Sequence, residues 1–106
     1  MALGLFDYFY TDRSPAPGDE KPWRAIEGAT HRIVESEQFL GAAVPMDEQI
    51  RHARRLRRAV NTVMRKLECL STPPQTWMIE ALAQFAALAD HWIDTYGATA
   101  DAIVMN

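Results

Sequence analysis

A single cysteine, Cys69, stands in this chain of 106 residues, so no intrachain disulfide can staple it. That usage suits a reducing compartment. No apolar run approaches the roughly 18 to 20 residues needed to span a bilayer, and a membrane-spanning role is not expected. Zinc-type cysteine pairs, a P-loop and a dinucleotide fingerprint are all missing. No alternating run rich in Val or Ile points to a sheet. The opening MALGLFDYFY has neither the basic lead nor the small-residue cleavage site of a signal peptide, and Asp7 interrupts its apolar run. A cytoplasmic protein is the expectation.

What is present reads as one helical domain over 1–106. Hydrophobic residues make up 48% and charged residues 24%, near globular averages, which argues against wholesale disorder. The stretch TDRSPAPGDEKP is dense in Pro, Gly, Asp and Ser, and marks 11–21 as a linker. Beyond it, Trp23, Ile26, Ala29, Ile33 and Leu40 recur at amphipathic spacing, which predicts a helix over 22–40 stopped by Gly41. A second helix over 46–70 begins at PMDE, with Pro45 in its first turn and the carboxylates of Asp47 and Glu48 at the positive end of its dipole. A third, over 73–96, is announced by TPPQ: Thr72 as cap, Pro73 in the first position, Gln75 reaching back to the cap. Gly97 is its predicted stop, leaving 97–106 as a tail.

Short connections favour antiparallel neighbours, so the predicted fold is all-α, a small antiparallel three-helix bundle. Residues 1–10 carry four aromatics in five residues without a declared period, and form either an apolar strap or a short fourth helix. Docked, they close the core. Undocked, they expose an aromatic patch of the kind that anchors interfaces. Docking is the favoured reading.

The segment RHARRLRRAV places five arginines in eight residues of a chain whose net charge is −3. At about 100° per residue, Ala53, Leu56, Val60, Val63 and Leu67 form a core stripe. Arg51, Arg54, Arg55, Arg58, Arg65 and Lys66 fall opposite it, with Arg57 at its flank. From Met46 to Leu70 seven basic residues stand against three acidic ones, a net of +4 that leaves −7 on the rest. The third helix holds Glu80, Asp90 and Asp94 and no Lys or Arg. Charge on the outer side of a bundle helix is the ordinary arrangement, and a solvated face accounts for most of this pattern.

Candidate chemistry is thin. Glu27, His31 and Glu35 share one helix face, but it lies opposite Ile26, Ala29 and Ile33 and should be in water. His31, His52 and His91 fall on three different helices and none is central to a core stripe, so no metal or other cofactor is expected. Cys69 has no histidine placed to serve as its base. Trp92 lies on an apolar stripe, with Trp23 and Trp77 at the edges of theirs, which reads as core packing.

An enzyme is therefore not expected. The leading expectation is a protein-binding module: a small regulator, adaptor or phage-type inhibitor that occludes or bridges a partner. Its contacts would be Arg51, Arg54, Arg55 and Arg58, with Phe6, Tyr8 and Phe9 from the N-terminal aromatics. The expected partner is an acidic protein surface, because arginine forks pair bidentately with carboxylates. Nucleic acid is the weaker alternative, since the rest of the chain is strongly negative and no aromatic is interleaved to stack bases. Structural self-association is a third: the basic face of the second helix against the acidic face of the third on another copy, expected as a heterologous contact giving rings or filaments.

Overall fold

A computed structural model describes Gly4, Phe9, residues 15–41 and residues 43–105, with side chains described as far as Gly97. Among the described residues three helices follow one another: α1, Glu20–Phe39; α2, Met46–Leu67; and α3, Thr76–Met105. The chain is all-α and the helices form a bundle. Among the described residues there is no strand.

Local chemistry sets most of the helix ends. α1 opens with Glu20 in its first turn and tolerates Pro22 there, where a missing N–H costs nothing. It closes on Gly41, whose φ of 82° puts it in the left-handed region that L side chains avoid. Gly41 also donates its N–H to Gln49 Oε1 at 3.2 Å, and Gln49 Nε2 donates to the Val44 carbonyl at 3.2 Å, so one buried amide holds the α1–α2 loop. Gly41→Ala is expected to lower stability by about 1–2 kcal/mol, the cost of forcing a Cβ into that region. An unchanged midpoint in chemical denaturation would show that the turn can rearrange.

α2 carries Asp47 and Glu48 in its first turn and Arg65 and Lys66 in its last, each complementing the helix dipole. Pro45 stands just outside it, as the cap residue. The helix ends at Leu67, three residues short of the expected 70; there Cys69 and Leu70 donate to carbonyls only three residues back, at 3.0 and 3.2 Å.

α3 departs from expectation at both ends. It starts at Thr76, not at 73, because Pro74 pushes the residue before it out of the α region, and Pro73 does the same to Thr72. The Gln75 carbonyl instead accepts from Met78 and Ile79, and its side chain accepts from Trp77 Nε1, not from the Thr72 backbone. At the other end the helix runs through Gly97 to Met105, so 97–106 is not a tail. A mid-helix glycine costs only about 1 kcal/mol, and here it faces a neighbour: a Cβ on Gly97 would lie 3.7 Å from Arg54 Nη2.

α2 is the central element. On one flank it meets α1, antiparallel, with His52 stacked on Phe39 (centroids 4.3 Å, 7° between planes) and Arg55 paired to Glu35 at 2.9 Å. On the other it meets α3, also antiparallel, through Arg57 and Asp90 at 3.4 Å. Among the described residues no Cα of α1 comes within 8 Å of one of α3. The wedge between these two helices is filled by side chains instead. Ile26, Ile33, Leu56, Val60, Val63 and Leu82 are fully buried in it.

Phe9 completes one end of that wedge. Its ring is 1% exposed and meets Trp23 edge-on at 4.8 Å. The same end is tied by Asp19, whose carboxylate accepts from the Ser71 N–H (3.1 and 3.3 Å) and from its hydroxyl (2.7 Å) across 52 residues of sequence. Of the tryptophans, Trp23 is buried, Trp92 is half-buried beside Tyr96, and Trp77 is exposed.

Candidate protein-binding surface

The basic face expected on α2 is divided by its neighbours. Arg55 is turned to α1, where Glu35 holds it. Arg57 is turned to α3, where Asp90 holds it, and Arg54 lies over Gly97. That leaves Arg51, Arg58 and Arg65 exposed, with no acidic partner among the described residues. The three are seven residues apart, so they form a nearly straight row along the helix, about 10.5 Å between neighbours and about 21 Å in all. Arg51 and Arg58 were the expected contacts that remain available. Arg65 was not among those expected, and the signal for it was the seven-residue spacing itself.

The aromatic half of the expected contact is corrected at one position. Phe9 is a core residue and cannot meet a partner without undocking. Phe6 and Tyr8 lie outside the described residues, as does the segment expected as a strap or fourth helix apart from Gly4 and Phe9.

α3 presents a complementary row. On its wheel the core residues Met78, Leu82, Phe85 and Ala89 occupy one side, and Glu80, Ala87 and Asp94 the other, all three exposed. Glu80 and Asp94 are fourteen residues apart, matching the distance from Arg51 to Arg65. Both rows flank the same seam. Passing outward from the core of α2, Arg57 and Arg54 come before the arginine row, and these are the residues that touch α3. Passing outward from the core of α3, Gly97 and Asp90 come before the acidic row, and these are what they touch. Along the seam two large apolar side chains stay open to solvent, Met64 at 40% and Ile79 at 39% exposure.

Elsewhere the chemistry is sparse. His31 is exposed and lies 3.7 Å from Glu35, which already accepts from Arg55. Among the described residues no three His, Cys, Asp or Glu side chains converge as a metal site would require. Cys69 is exposed, its thiol directed at the Arg65 carbonyl at 3.5 Å. A cavity of about 280 Å³ opens at the Phe9 end of the bundle, between Trp23, Leu67, Pro74 and Met78. The one carboxylate among the described residues lining it, Asp19, is engaged by Ser71. No helix is long and apolar enough to cross a membrane among the described residues. No protein-family model, no curated protein and no solved structure matches this chain.

Proposed function

We propose that this chain is a non-enzymatic protein-binding module that presents the row Arg51, Arg58 and Arg65 to an acidic protein surface. It would act as a small regulator, adaptor or inhibitor, occluding or bridging its partner. One observation carries the reading: these three arginines stand in a line with no acidic partner among the described residues, while Arg55 and Arg57 on the same helix are held by carboxylates of α1 and α3. The row lies opposite the core stripe of α2, on the face that a partner can reach. The cytoplasm is the setting that fits, because there the exposed thiol of Cys69 stays reduced.

Phosphates are the weaker partner. Three contacts spaced by about 10.5 Å would give a salt dependence of roughly −2.7 in log–log slope, modest beside duplex binders that neutralise six to ten phosphates. The remaining −7 of charge opposes even that. The test compares proteins captured from native lysate, with and without nuclease, by the wild type and by the triple variant Arg51→Glu, Arg58→Glu, Arg65→Glu. An acidic protein retained by the wild type after nuclease, and lost at least 10-fold by the variant, is the expected result. Identical captures would remove the arginine row from consideration. Capture of nucleic acid alone would promote the phosphate reading.

A further inference from the structure

An acidic row of the same length as the arginine row stands on the molecule itself, from Glu80 to Asp94. We propose that the chain forms a two-fold dimer in which the arginine row of each α2 lies on the acidic row of the other copy's α3. The inference rests on the reading of the arginine row given above and names its partner.

The register decides it. The Arg57–Asp90 bridge and the approach of Arg54 to Gly97 set Arg51 level with positions 96 to 100 and Arg65 level with positions 82 to 86 across the seam. Each arginine is thus about two to six residues, or about 3–9 Å along the axis, from the height of Asp94 and Glu80 respectively, on the same side of both. A two-fold axis parallel to the helices and above the seam brings the second copy's α2 over this copy's α3 at the same height. Arg51 then meets Asp94 and Arg65 meets Glu80, and the symmetry repeats both pairs, giving four ion pairs. An extended arginine side chain easily spans the remaining offset. Arg58 falls over Ala87, whose small side chain leaves room for the aliphatic stem.

The same operation gives two of the exposed apolar groups a place. By the helical wheel Met64 and Ile79 stand on the seam-facing sides of their helices, near the Arg65–Glu80 end, so the two-fold gathers copies of both at that end of the interface. A face of two packed helices, about 30 Å long and 20 Å wide, approaches the roughly 800 Å² per partner of a standard interface. Because both rows flank one seam, the pairing is isologous and closes at two copies, where rows on unrelated faces would propagate into rings or filaments.

Sedimentation equilibrium on the full chain tests this. At low ionic strength the wild type is expected at twice its 12.0 kDa mass. In about 0.5 M salt, where screening shortens to roughly 4 Å, its dimer dissociation constant should rise at least 10-fold. Arg51→Glu with Arg65→Glu should be monomeric, and so should Glu80→Arg with Asp94→Arg. An equimolar mixture of the two variants should restore a dimer, with circular dichroism showing that each is helical. If the acidic-row reversal does not fold, Glu80→Gln with Asp94→Asn should still weaken the dimer at least 10-fold. A wild type that is monomeric at low salt, or a mixture that stays monomeric, overturns the dimer, as do masses that keep growing with concentration. A monomeric wild type that still captures a foreign acidic protein through its arginines leaves the arginine-row reading standing. A dimer indifferent to Arg51→Glu with Arg65→Glu overturns the dimer assignment and removes self-pairing as support for the row.

Discussion

Phe9→Ala is expected to destabilise the protein by about 3–5 kcal/mol, the range for removing a buried phenylalanine ring. The ring is 1% exposed and packs edge-on against Trp23, itself buried. Alanine would leave a void between Trp23, Leu67 and Met78 that adds to the cavity already at that end. For a chain of this length, a loss of that size should lower the thermal midpoint by more than about 10 °C. If Phe9 instead served chiefly to contact a partner, the substitution would leave the midpoint nearly unchanged while weakening binding. Thermal denaturation followed by circular dichroism separates the two outcomes.

Leu56→Ala is expected to cost a similar amount, about 3–4 kcal/mol, for a different reason. Leu56 is fully buried on the central helix, where α1 and α3 both converge, so neither neighbour can collapse into the space without losing its own contacts. Arg58→Ala, two residues along, is exposed on the single chain and should change the stability of the monomer by no more than about 0.5 kcal/mol. Urea denaturation of the two variants side by side measures the contrast between the faces of α2. Equal losses would show that the helix is rotated from the orientation described.

The bundle itself was legible because its signals are local. Gly41, the carboxylates at Asp47 and Glu48, and the Leu/Val stripe of α2 each act within a turn or two of sequence. The failures have equally local causes. TPPQ resembles a capping box, but its second proline forbids the helix from starting where the box would place it. Gly97 reads as a stop, yet its penalty is small enough for a neighbouring guanidinium and an alanine-containing continuation to carry the helix past it. The division of the arginines could not be read at all. A helical wheel gives angles around one axis, and Arg54, Arg55 and Arg57 differ from Arg51, Arg58 and Arg65 only through where α1 and α3 lie. Nor could the burial of Phe9 be extracted from five residues without a period.

Placing α2 between two helices whose described backbones stay more than 8 Å apart has a consequence for how the chain finds its fold. Among the described residues, helices whose backbones come together are always neighbours in sequence, so loop closures are short and contact order is low, the topology that collapses fastest. Two helical hairpins sharing α2 can zip independently. The Asp19–Ser71 clasp closes the first hairpin, and Phe9, which packs toward both Trp23 of α1 and Met78 of α3, must wait for both hairpins to be in place. The destabilisation from Phe9→Ala should therefore appear mainly as faster unfolding, with the refolding rate almost untouched. In this architecture speed comes from the middle helix, and persistence from the residues that close over it last.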